Sequence, residues 1–134
     1  MARRRRRRLK FVQARLERLS GNQCVARVHL EEAPYGCYVG SAVVGGGPDE
    51  DGLLATARAT AAALMQAVGM DHSLKVHGVK LFEAFGQSAV LVQIGAKLRA
   101  RAQALIGFCV AGTDPARAAA LAVLNATNRA LDIG

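Results

Sequence analysis

The amino-acid sequence predicts an α+β protein made of two pseudo-repeated β-β-β-α units, antiparallel sheets covered by two helices. Three observations lead there. Thr113-Asp114-Pro115 opens the alanine-rich run from Ala116 to Leu131; Asp114 is placed to accept from the free amides of a first helical turn, and Pro115 suits the first helical position, where no amide is missed. Sliding the chain back by 63 residues lays Asp51 on Asp114, and Ala55, Ala57, Ala59, Ala63 and Ala67 on Ala118, Ala120, Ala122, Ala126 and Ala130. Upstream of each helix, Tyr38–Gly45 resembles Leu105–Gly112 at an offset of 67, with Gly40/Gly107, Val43/Val110 and Gly45/Gly112 identical. The change of offset falls in the Gly/Pro/acidic stretch from Gly46 to Glu50, a loop composition in which insertions cost little.

The elements follow in order. Arg3, Arg4, Arg5, Arg6, Arg7 and Arg8 form a run of like charges with nothing to bury, so residues 1–9 are expected to be a disordered arginine-rich tail. The single domain then runs over 10–134, as a repeat 10–70 and a repeat 71–134. Leu9, Val12, Leu16 and Leu19 stand at helical spacing, yet Val12, Ala14 and Leu16 also alternate as in a strand. The duplication decides between them: at an offset of 65, Arg15-Leu16 falls on Lys80-Leu81 and Gly21 on Gly86, and the later segment Leu74–Phe85 reads as a strand. The first segment is therefore assigned as a strand turning at Ser20-Gly21-Asn22. Cys24, Ala26, Val28 and Leu30 alternate with wetter residues, the period of a half-buried strand. Glu32 to Gly36 supplies turn chemistry. Cys37–Gly45 is apolar at nearly every position and is expected to be covered on both faces. Asp51 is expected to cap a helix with Leu54, Ala61, Leu64 and Val68 on one stripe and Gly69 as its stop. The second repeat continues with Leu74–Phe85, a turn at Gly86-Gln87-Ser88, Ala89–Lys97, a basic turn at Arg99 and Arg101, Ala102–Gly112 and the closing helix. That helix points Val123, Leu124, Thr127 and Leu131 at the sheet, with Asn125, Asn128 and Arg129 on other faces.

Bulk properties narrow the function. The 134 residues suit one domain, about half a (β/α)8 barrel, so any barrel enzyme is expected to be encoded elsewhere. Aromatic residues are only 4% of the chain, which leaves an aliphatic core and few platforms on which bases could stack. The formal charge of +8 is concentrated at the start: residues 1–20 carry nine basic side chains and one acid, and the remainder holds nine of each sign. A neutral body with a cationic leader argues for a separable tail rather than a basic face. Cys24, Cys37 and Cys109 show neither a disulfide framework nor CxxC spacing, and each is expected to fill a strand position as a small apolar group. No apolar run approaches the ~18 residues of a membrane span, and no apolar segment of signal-peptide type follows the arginines. A cytoplasmic location is expected.

Few residues suggest chemistry. His29, His72 and His77 have no ligand spacing, and no metal or cofactor is expected. Asp49-Glu50-Asp51 reads as helix-start acidity rather than a cation site, and Gly45-Gly46-Gly47 lacks the Lys-Ser/Thr of a phosphate loop. No nucleophile elbow, Cys/His pair or carboxylate pair is recognisable, so the chain is not expected to be an enzyme. Thr113 and Asp114 remain as candidate ligand-binding residues for a small amino group. Arg3 to Arg8 remain as candidate phosphate contacts that would bind nucleic acid without sequence preference and with steep salt dependence.

The closing stretch, Thr113-Asp114-Pro115-Ala116-Arg117-Ala118 through Asn125-Ala126-Thr127-Asn128-Arg129, together with the doubled β-β-β-α order, resembles the C-terminal regulatory domain of 2-isopropylmalate synthase. The matching positions are Thr113, Asp114, Ala118, Asn125, Ala126, Asn128 and Arg129. The resemblance implies a pseudo-duplicated dimerisation domain that, in that family, binds leucine between the repeats as a feedback signal. The chain departs from it where Phe108 and Val110 replace glycines of the strand before the last helix, which would partly fill such a pocket. The expectation is a non-catalytic dimerising or small-ligand-sensing module, a homodimer in the family's manner. The alternatives are nucleic-acid association through the arginine run and a scaffold subunit of a larger enzyme, held through an open sheet edge.

Overall fold

A computed structural model describes residues 9–19, 21–34, 36–45, 49–69, 72–98, 101–128 and 130. The order is β1 (Leu9–Leu19), β2 (Gln23–Glu32), β3 (Gly36–Gly45), α1 (Asp49–Val68), β4 (His72–Ala84), β5 (Gln87–Leu98), β6 (Arg101–Val110) and α2 (Pro115–Thr127). The strands form two antiparallel three-stranded sheets, β1-β2-β3 and β4-β5-β6. This is the pseudo-repeated β-β-β-α layout that the sequence predicts, and the segment from Leu9 to Leu19 is the strand that the duplication required. Leu9, expected in the tail, opens β1 and is buried.

The repeat extends to irregularities. The β1/β2 register breaks at Val12, between Phe11 and Gln13, and the β4/β5 register breaks at His77, between Val76 and Gly78. Those positions are 65 residues apart, the offset that also relates Gly21 (φ 78°) to Gly86 (φ 74°) in the two hairpin turns. A bulge bends its strand and is placed rather than accidental, so the two sheets share curvature as well as order.

The deepest shared feature is the approach of strand to helix. A Cβ on Gly40 of β3 would collide with the Ala59 carbonyl oxygen and stand 2.5 Å from the Ala63 amide nitrogen in α1. On Gly107 of β6 it would meet the Ala122 carbonyl oxygen and stand 2.7 Å from the Ala126 amide nitrogen in α2. Glycine on the strand and alanine on the helix bring the two backbones together. This explains why those residue types coincide in both halves.

Each helix lies on its own sheet and reaches the other. α1 packs across β2 and β3 and touches β4, α2 packs across β5 and β6 and touches β1, and the helices touch each other. The Arg117 guanidinium stands 5.8 Å from the centre of the Phe11 ring, joining α2 to β1. Both helices are therefore interior, and the single stripe expected on α1 is a correction: between Gly52 and Leu64 only Arg58 is exposed. Alanine makes this possible, being small enough to be covered on every side. The buried threonines are satisfied within the helix, Thr56 donating to Gly52 (2.9 Å), Thr60 to Thr56 (2.8 Å) and Thr127 to Val123 (2.9 Å).

Helix ends follow the sequence less evenly. Asp114 caps α2, its Oδ1 accepting from the Arg117 amide at 3.0 Å, with Pro115 first in the helix. Asp51 does not cap α1, which already begins at Asp49. Gly69, at φ 89°, ends α1 and donates to the Met65 carbonyl. Two turns also shift: the β4/β5 turn is Phe85-Gly86 rather than Gly86-Gln87-Ser88, and Arg101 belongs to β6, paired with Leu98.

Candidate functional site

With the helices inside, each sheet turns one face inward and one to solvent. The inner faces carry Ala26, Val28 and Leu30 of β2 and Val90, Val92 and Ile94 of β5, all buried. The outer faces carry what is left for function. β3 is consequently not covered on both faces: Val39 and Val43 are about half exposed. An apolar strand is buried twice only where a second layer exists, and none covers this side among the described residues.

The outer face of β4-β5-β6 is apolar. Cross-strand register aligns Phe82, Ala89 and Val110 in one row, Lys80, Leu91 and Phe108 in the next, and Gly78, Gln93 and Ile106 in the third. Ile106, Phe108 and Val110 are 65%, 60% and 51% exposed. Phe108 and Val110, which the sequence reading placed as partial fillers of a pocket, stand on this open face and line the groove along β6.

The outer edges of the sheets are less open than expected. Gln66 of α1 donates its amide to the Val39 carbonyl of β3 at 2.7 Å, and Asn125 of α2 donates to the Phe108 carbonyl of β6 at 2.9 Å. Each of these edge strands thus has a carbonyl occupied by a side chain of its own helix, which blunts the edge as a template for another strand. Beside β6, an open groove runs along Gln103 to Val110, with Asn125, Ala126 and Asn128 on its helical wall. The buried Oδ1 of Asn128 has no hydrogen-bond partner among the described residues.

The outer face of β1-β2-β3 mixes Val25, Val39 and Val43 with charged and polar residues and holds a cluster that sequence reading missed. Glu32 pairs with Gly36, so His29 pairs with Val39 and Glu31 with Cys37. This register brings His29 Nε2 to 2.9 Å from Cys37 Sγ, and the same nitrogen lies 3.8 Å from Glu31 Oε1. A Cys/His pair is therefore present where none was recognised, and Cys37 is exposed rather than packed as a small apolar group. Its signal lay in the alternation on either side of Pro34, which sets the register once the length of the turn is known. Cys24 is buried on the inner face, and Cys109 is half-buried with its thiol toward the Val110 carbonyl at 3.5 Å.

Of the predicted site residues, Thr113 and Asp114 are exposed at the start of α2, and one carboxylate oxygen of Asp114 is engaged as the cap. They do not line the groove beside β6. Arg3 to Arg8 lie outside the described residues. His77 stands on its bulge over Gly95, on the second sheet and away from His29. Among the described residues no group of three or more His, Cys, Asp or Glu side chains is arranged to hold a metal ion, and no helix is long and apolar enough to cross a membrane. No protein-family model and no curated protein matches the chain.

Proposed function

We propose that the protein is a non-catalytic dimerisation module that joins two copies of the chain through the outer face of β4-β5-β6. The observation that carries this reading is the exposure of Ile106, Phe108 and Val110 on one face, continuous with Leu91 and Phe82. Such a patch covers on the order of a few hundred Å², the size that marks an interaction surface. Its central rows carry one cation, Lys80, so a twofold axis would lay apolar residues on apolar residues without forcing many charges together. The occupied carbonyls of β3 and β6 favour contact face to face over pairing edge to edge. The resemblance to the synthase regulatory domain points the same way. Light scattering on the eluting protein is expected to give twice the chain mass of 14.1 kDa, and Phe108→Asp should return it to a single chain.

A second reading, amino-acid sensing, is favoured by the groove beside β6 and by Asn128 at its wall, whose buried Oδ1 has no hydrogen-bond partner among the described residues. A turn of the Asn128 amide toward the groove would let that oxygen accept from a ligand ammonium group. Calorimetry with leucine and other small amino acids tests it: heat that disappears in Asn128→Ala supports the reading, and no heat at millimolar ligand removes it.

A further inference from the structure

The geometry points to Cys37 as a reactive thiol, activated by His29 and placed to exchange with small anionic disulfides. The cluster lies on the outer face of β1-β2-β3, so it remains open when the other sheet is covered. Cys37 is exposed, and His29 Nε2 stands 2.9 Å from its sulfur. With the ring proton on Nδ1, Nε2 accepts from the thiol and takes the proton as the sulfur attacks. Glu31 Oε1, 3.8 Å from the same nitrogen, stabilises the imidazolium while it holds that proton. A base, a nucleophile and an anion that steadies the charged base are thus supplied by one hairpin.

The neighbouring rows define the class of co-reactant. Gln13, Arg15, Arg27, His29 and Val39 line one shallow groove. Arg15 pairs with Arg27 across β1 and β2, and both are exposed. Neither guanidinium has an ion-pair partner among the described residues. Four residues along a strand separate the Arg27 row from the Cys37 row, about 13 Å at strand rise. A disulfide carrying carboxylates on arms of peptide length spans that distance, and two unpaired arginines favour it over a cationic one. The exchange balances without an outside oxidant: Cys37–SH and R–S–S–R give Cys37–S–S–R and R–SH. The proton removed by His29 passes to the departing thiolate.

The pair is a property of the first unit alone. At the positions that correspond by the repeat, His29, Glu31 and Cys37 are replaced by Gln93, Gly95 and Ala104.

The test uses the full chain with oxidised glutathione as the anionic disulfide and cystamine as the cationic one, following adduct position and rate by mass spectrometry. Cys37 should be modified before Cys109 and Cys24, and Cys37→Ser should abolish the early adduct. His29→Ala should slow the reaction about tenfold or more at neutral pH, with an unchanged thermal melt showing that the fold survives. Glutathione disulfide should outpace cystamine, and Arg15→Gln with Arg27→Gln should remove that preference. Earlier modification of Cys109, an unchanged rate in His29→Ala, or equal rates for the two disulfides in the parent chain would each overturn the assignment.

Discussion

The two β-β-β-α units agree inside and disagree outside. On the inner side Gly40 and Gly107 meet the helix backbone in the same way, at alanines 63 residues apart. On the outer side the central row reads Arg15, Arg27, Ser41 in the first unit and Lys80, Leu91, Phe108 in the second. The row beside it reads Glu17, Val25, Val43 in one and Phe82, Ala89, Val110 in the other. Packing against a helix constrains every atom of the inner face, because a single added Cβ collides with backbone there. The outer face is free of that constraint, so the copies have diverged into one surface with more charged residues and one with larger apolar residues. We read that divergence as a division of labour.

The strongest way to break the inner half of the comparison is to add one methyl group to each unit. Gly40→Ala and Gly107→Ala should each destabilise the protein by about 3 kcal/mol or more, since the obstructing atoms belong to helix backbone and cannot rotate away. Denaturant unfolding measures both, and a mild cost at either site would show that the units do not share this contact.

The outer half calls for unequal effects. Phe108→Asp should weaken self-association by about a hundredfold or more, roughly 2.7 kcal/mol, whereas Ser41→Asp at the matching position of the first unit should leave it unchanged. Dilution series in the analytical ultracentrifuge separate the two.

Smaller differences sharpen the comparison at helix starts and turns. Asp114→Ala removes a cap and should cost about 1 kcal/mol, while Asp51→Ala, inside α1, should cost less; thermal unfolding of the pair gives the ordering. Phe85 holds a positive φ of 55° at the β4/β5 turn with its ring fully exposed, where the first unit has Asn22 at φ 63° in its own hairpin. Phe85→Asn should therefore stabilise by about 0.5 kcal/mol, because asparagine tolerates the left-handed region better. Chemical denaturation would register the gain as a raised midpoint.

Much of the fold was legible because it depends on local chemistry and on a repeated pattern. The strand from Leu9 to Leu19 was ambiguous alone and became readable through its copy at Leu74–Phe85. Asp114, Pro115 and Gly69 did what their residue types do at helix ends. Burial around the helices was not legible: alanine is indifferent between a covered and an open position, so periodicity could not show that α1 is enclosed on nearly every side. The same missing layer information made Cys37–Gly45 look doubly covered. Thr113 and Asp114 drew attention as a motif, yet the groove in the second unit is walled by Asn125 and Asn128. The His29–Cys37 contact depends on the register across the Pro34 turn, a property of two strands together that neither shows separately.

The central claim is that the second sheet, and not the first, is the surface that meets another copy. Hydroxyl-radical footprinting across a range of protein concentrations tests it on the side chains themselves. As concentration rises, modification of Ile106 and Phe108 should fall while that of Val39 and Val43 stays constant. Constant modification of Phe108 at every concentration, or protection of Val39 in its place, would contradict the account.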